Sequence, residues 1–289
     1  VTPGRLAAVD QVRELGGVVT NRYFYGFEDS WGYPIVELGE DWNGGDEELV
    51  HVAAMESIDE LWLSSSKITD RGVQHVADLK HLAALHCDRT ELTDAGLGRL
   101  ADVHGLQCID ISGGRITDAG LEALENRALL WLFIKDAPRV TDAGLRHLAA
   151  LTELIGLRLI DTRVSGSGLA RLSKLDQLRE LSLAGSPVDD AALVHLENFP
   201  RLRVIDLSRT LVNGPGLAHL RQHVRLDEIV LDQTAITADS LQYLSGLHTV
   251  SVISLEGTDV EPEDLESLWA LKNLRSVLLA GEVIRRPSP

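Results

Sequence analysis

Residues 116–124 read ITDAGLEAL, and the pentapeptide at their centre returns. Twenty-four residues earlier the chain reads LTDAGLGRL (92–100), and twenty-four residues later VTDAGLRHL (140–148). A fixed interval of this size marks a supersecondary unit that stacks on copies of itself. Taking Leu82 as position one gives LAALHCDRTELTDAGLGRLADVHG. The same frame fits LIGLRLIDTRVSGSGLARLSKLDQ from Leu154 and LRELSLAGSPVDDAALVHLENFPR from Leu178. It continues from Leu202, Leu226 and Val250, with earlier copies at Tyr33, Ile58, Leu106 and Leu129 and a last half copy, LRSVLLAGEVI, from Leu274.

Each copy holds two periods in succession. Positions four and six (Leu61 and Leu63, Leu181 and Leu183) alternate with other residues, as a short strand requires. Positions sixteen and nineteen (Leu97 and Leu100, Leu217 and Leu220) share one face of a helical turn. Position twelve, between the two sets, is Thr69, Thr93, Thr117, Thr141, Ser165, Asp189, Asn213 or Thr237, all N-cap residues. Glu261 then takes the place with Pro262 at the first helical position. The Thr of the pentapeptide thus caps a helix, the Asp suits its positive end, the Leu enters the core and the Gly allows close packing. Position nine is usually a hydroxyl (Ser66, Thr90, Thr162, Ser186, Thr210, Thr234, Thr258), which predicts a hydrogen-bonded ladder through the turns.

The pattern L-x-x-L-x-L-x-x-T-x-ϕ-T-D-x-G-L-x-x-L resembles the leucine-rich repeat family, and more narrowly the TDAGL-type repeats of planctomycete bacteria and of F-box leucine-rich-repeat proteins. The resemblance implies an α/β solenoid, a horseshoe with a parallel β-sheet on its concave face and short helices on its convex face. It also implies a protein or peptide bound on the concave side. The expected organisation is an N-terminal cap of helix plus short strands over 1–32, ten repeats and a final half repeat over 33–281, and a tail over 282–289.

Bulk composition narrows the function. The chain has 289 residues and a formal net charge of −17, which repels phosphate backbones and argues against nucleic acid. No run of 18 apolar residues exists, so no direct membrane insertion by this segment is expected. The chain opens VTPGRLAAVD without Met or a charged-then-apolar leader, from which a missing upstream segment is expected. The run AVDQVRELGGVVTNRYFYG resembles the segment after an N-terminal membrane anchor in some planctomycete repeat proteins. That implies a membrane-anchored protein; the other expectation is a cytoplasmic one.

At the N-terminus, Leu6, Val9, Val12 and Leu15 form an apolar stripe that Gly16 and Gly17 end. Tyr23, Phe24, Tyr25, Phe27, Trp31, Tyr33 and Trp42 are seven of the chain's 13 aromatics. They are read as a cap on the open end of the first repeat, which a solenoid needs, with an aromatic ligand site as the alternative. The C-terminus shows no cap of its own.

Ten histidines invite a search for metal or catalysis. His51, His75, His147, His195 and His219 all fall at position eighteen, so they recur with the repeat and are read as solvated surface residues. Cys87 and Cys108 fall about 11 Å apart in the frame, beyond disulfide reach, so two free thiols are expected. No G-x-S-x-G, P-loop, H-E-x-x-H or paired Cys-x-x-Cys motif is present. No cofactor, no metal and no catalysis are expected.

Positions three, five, seven and eight face away from the core on the sheet. In the C-terminal half they are mostly small or acidic. Between Ile58 and Leu154 they become Trp62, His86, Asp88, Arg89, Asp110, Trp131, Phe133 and Lys135, followed by Arg158. Position five alone runs Trp62, His86, Asp110, Phe133, Arg158 on strands about 4.8 Å apart. Binding hot spots use aromatic and Arg side chains of this kind on an open sheet; cross-strand packing without a partner is the other reading. The expectation is a non-catalytic scaffold for a protein or peptide, with a glycan as the alternative ligand. Its rivals are a substrate-receptor subunit of an F-box, ubiquitin-ligase kind and the sensor or interaction domain of a larger membrane-anchored enzyme.

Overall fold

A computed structural model describes residues 3–20, 34–64, 67–79, 81–100, 102–113 and 115–286. The chain divides into two compact units, Val1–Ala137 and Pro138–Pro289. The N-terminal aromatics from Tyr23 to Tyr33, read above as a cap, lie outside the described residues, as do Thr2, Ser66 and 287–289.

The first unit opens with helix α1, Pro3–Glu14. Gly16 stops it with a φ of +89°, a backbone conformation that side-chain-bearing residues rarely adopt. Its buried face is Ala8 and Val12; Leu6, expected in the stripe, is exposed. Strand β1 (Val18–Thr20) pairs antiparallel with β2 (Ile35–Glu37), and from there every step of the unit is parallel. The order is β3 (Glu60–Trp62), β4 (Ala84–Cys87), β5 (Cys108–Ser112) and β6 (Trp131–Lys135). Short helices α2 (Leu49–Ala53), α3 (Val73–Val76) and α4 (Asp94–Leu100) return the chain between strands, with a 3₁₀ turn at Gly120–Leu124. Such lengths are too short to hold in isolation; packing against the next coil keeps them.

The second unit repeats the plan with 3₁₀ turns throughout. Its strands are β7 (Gly156–Ile160), β8 (Glu180–Ser182), β9 (Val204–Asp206), β10 (Glu228–Val230), β11 (Val252–Ser254) and β12 (Ser276–Leu279), parallel in chain order. β13 (Glu282–Arg285) then turns back at Ala280-Gly281, both with positive φ, and pairs antiparallel with β12. Part of the expected tail is therefore a hairpin, and Arg286 donates from Nη1 to the carbonyls of Leu271 and Lys272. The expectation of an uncapped end fails because a two-residue turn suffices to fold the chain back on its last strand.

Positions four and six form the core in both units: Leu61, Leu63, Leu85, Ile109, Leu132, Leu157, Leu181, Ile205 and Ile229 are all buried. Each fully buried aliphatic contributes about 1.5–3 kcal/mol, largely offset by chain entropy. A coil therefore holds only against its neighbours.

The position-nine hydroxyls do less across coils than the ladder expectation requires. Thr90, Thr210, Thr234 and Thr258 each donate to the carbonyl three residues back, closing their own turn. Only Thr162 and Ser186, 2.8 Å apart, link adjacent coils in this way among the described residues. A hydroxyl has one proton, and the local carbonyl takes it first.

Candidate functional site

Parallel pairing in register puts the position-five residues of the first unit side by side. Trp62 faces His86, His86 faces Asp110, and Asp110 faces Phe133. Four of the five position-five residues are therefore neighbours on one sheet, and Arg158 lies on β7 in the second unit. The difference lies in exposure. His86, Asp110 and Phe133 are buried, at 4%, 8% and 8% of full exposure. The expectation of an open row fails for these three, because large side chains packed flank to flank on a sheet cover one another. Trp62, Asp88, Trp131, Lys135 and Arg158 are half-buried and Arg89 is exposed.

Trp62 lies flat on His86, with ring centroids 3.7 Å apart and planes 9° from parallel. His86 Nε2 is 3.0 Å from Glu60 Oε1, and Nδ1 is 3.7 Å from Asp110 Oδ2. Both become ion pairs when the imidazole is protonated, and neither ring nitrogen has a well-aligned hydrogen-bond partner. Lys135 Nζ closes the series at 3.2 Å from Asp110 Oδ2. With His86 protonated, Glu60, His86, Asp110 and Lys135 alternate in sign across β3, β4, β5 and β6. Burial alone pushes the His86 imidazole down, but Asp110 and Glu60 outweigh it and hold its pKa above the ordinary value. Burial likewise raises Asp110, yet His86 and Lys135 together hold it below the usual carboxylate range. Sequence reasoning misses Glu60; its signal is position three, on the same face as His86 and one strand away.

Around this series, Trp131 and Phe133 pack at 5.9 Å with planes tilted by 55°. Arg89 sits where the chain leaves β4 with a φ of +54°. Its backbone N–H donates to Ser112 Oγ, and its guanidinium lies 3.3 Å from Asp88 and 4.0 Å from Glu40.

The same face of the second unit is acidic. Arg158 pairs with Glu180 at 3.5 Å, and Arg209 holds Asp161 by two hydrogen bonds of 2.9 and 3.1 Å. A shallow pocket of about 270 Å³ is lined by Arg158, Glu180, Asp206 and Glu228 with Ile160 and Val230. Burial, then Asp227, Glu180 and Asp206, raise the Glu228 carboxyl above its ordinary pKa. Nothing in the sequence points to a pocket in this half.

The remaining candidates fall elsewhere. His147 is buried, contrary to its reading as a solvated residue, and accepts at Nε2 from Arg146 Nε at 3.0 Å. The other position-eighteen histidines are half-buried. Cys87 and Cys108 both stand as thiols, with no disulfide between them. Trp42 is buried beside Gly44. Among the described residues no three His, Cys, Asp or Glu side chains are arranged to hold a metal, and no helix is long and apolar enough to cross a membrane.

Comparison with known proteins agrees with this geometry at the level of fold. A leucine-rich repeat family profile matches residues 106–124. The crystal structure of an internalin (inlF) from Listeria monocytogenes is similar over 97% of this chain and 90% of that one, with 16% identity and a TM-score of 0.55. Internalin C2 (inlC2) of the same organism is similar over 80% and 84%, with 18% identity and a TM-score of 0.49. No curated protein matches the chain. The 24-residue coil and its parallel strands give this chain a leucine-rich repeat fold, and residues 106–124 carry the sequence signature of that repeat.

Proposed function

We propose that this chain is a non-catalytic scaffold that presents the sheet face of its first unit to a protein or peptide. The observation that carries the reading is the pair of indoles. Trp62 and Trp131 stand half-exposed on a face where the core is already filled from the other side by Leu61, Leu85, Ile109 and Leu132. A large amphipathic ring on a pre-ordered strand is a low-entropy anchor, and anchors of this kind dominate binding energy. Asp88, Arg89 and Lys135 supply charged groups at the rim, suited to orienting a partner rather than to holding it. His86, Asp110 and Phe133 belong to the support beneath.

Substituting Trp62 or Trp131 by Ala tests the reading. Each change is expected to weaken partner binding by roughly 1–4 kcal/mol while leaving the fold intact. Ser254, at the same repeat position as Trp62 but in the second unit, serves as the control. Loss of binding in all three variants, or in none, contradicts the assignment.

A further inference from the structure

We propose that His86 is a proton-operated latch on the partner-binding row: protonated, it ties Glu60 on β3 to Asp110 on β5 and holds Trp62 flat, and losing the proton loosens all three. The inference rests on the scaffold reading above and adds a regulation to that site.

The His86 side chain is 5% exposed, and the nearest groups on both flanks are carboxylates, Glu60 at 3.0 Å and Asp110 at 3.7 Å. On β6, Lys135 serves Asp110 at 3.2 Å; at the strand-end of β4, Asp88 is matched by Arg89 at 3.3 Å. With an imidazolium in place, the series from Glu60 to Lys135 alternates in sign and sums to zero. Without it, two carboxylates flank a neutral ring, and Lys135 reaches only Asp110. Glu60 Oε1 and Asp110 Oδ1 also lack hydrogen-bond partners in the described structure. An uncompensated carboxylate this far from water is costly. The strands therefore gain from the proton, and Trp62 is the lid that the imidazolium holds, by a stacked cation–π contact.

The direction of the effect follows from linkage. The folded-state pKa is raised above the ordinary 6.5. The stabilisation is fully present below that ordinary value and is lost as pH rises through the folded midpoint.

The test needs no partner, so its outcome is separate from the fate of the scaffold reading. The His86 ring signals in the intact protein, assigned by their absence in His86→Gln, are followed by NMR from pH 5 to 9 together with the Trp62 indole N–H. The expected result is a His86 midpoint above 6.5, with the Trp62 signal moving at the same midpoint. Asp110→Asn should lower that midpoint. Hydrogen exchange in β3–β5, corrected for intrinsic rates, should lose protection by roughly tenfold for each unit of raised pKa, with β9–β11 unchanged. A midpoint at or below the ordinary value, or a Trp62 signal indifferent to it, overturns the latch. Should His86→Gln fail to fold, sequential assignment of wild type gives the same decision. If the latch holds and Trp62→Ala leaves partner binding intact, the regulation stands and the assigned anchor falls.

Discussion

Asp70 of one coil and Thr93 of the next are joined by two hydrogen bonds: Thr93 N donates to Oδ1 at 2.8 Å, and Thr93 Oγ1 to Oδ2 at 2.6 Å. Asp46 with Thr69 and Asp94 with Thr117 repeat the contact at the same distances. Thr93 also accepts from Ala95 N, so it caps its own helix as it bonds the coil before it. A Cβ on Gly96 would stand 2.3 Å from Asp70 Oδ1. The recurring pentapeptide is therefore one interlock between coils, in which Asp reaches forward, Thr receives it and Gly leaves room.

Gly96→Ala distinguishes this interlock from helix propensity. Gly96 lies inside α4, where Ala gains about 1 kcal/mol over Gly. The interlock predicts the opposite sign, a net loss of about 1–3 kcal/mol from overpacking. Removing the carboxylate as well, in Asp70→Ala with Gly96→Ala, should cost less than the sum of the two single changes. Denaturant unfolding of the four proteins gives the cycle. A stabilised Gly96→Ala would contradict it.

Leu157 lies in a core row and is fully buried. Leu157→Asp places a charge there without a partner, and because coils hold only through their neighbours, several should open together. Hydrogen exchange should rise in β8 and β9 as well as in β7. Loss confined to β7 would show that the coils are independent.

Glu228 gives a pH prediction. Its raised pKa means that its contribution to stability is present below the ordinary carboxylate pKa and lost as pH rises through the folded one. Glu228→Gln should therefore melt above wild type at pH 7, and the difference should shrink as pH approaches about 4. Equal melting temperatures at both pH values would show that the neighbouring carboxylates do not act on it.

The two thiols should differ in reactivity. Burial pushes the Cys87 thiol far above its ordinary pKa, whereas Cys108 is half-buried on the other face of the sheet. Alkylation of the native protein should label Cys108 first, with Cys87 reacting only after unfolding, when two thiols titrate without reductant. Faster labelling of Cys87 would contradict the placement of the core.

The repeat frame makes strands, core rows and cap positions legible, because each coil writes a period of two and then an i, i+3 pair. The reason for the glycine is less visible, since a contact between coils leaves no local period. Its signal is pairwise. Gly120 follows an Asp94 that reaches across, whereas Ala192 and Ser240 stand where the preceding coil supplies Gly166 and Gly214. The binding row is legible as a set of neighbours but not as a set of exposures. Spacing places His86 beside Trp62; only the side-chain geometry shows the indole lying over the imidazole and Glu60 reaching its Nε2.

If the sheet face of the first unit holds a partner through its tryptophans, partner affinity reports it most directly. The measurement compares wild type, Trp62→Ala, Trp131→Ala and Ser254→Ala in parallel, with circular dichroism confirming that all four are folded. Losses of roughly 1–4 kcal/mol for both tryptophan variants, with Ser254→Ala unchanged, are predicted. A partner that binds all four proteins alike would contradict the claim.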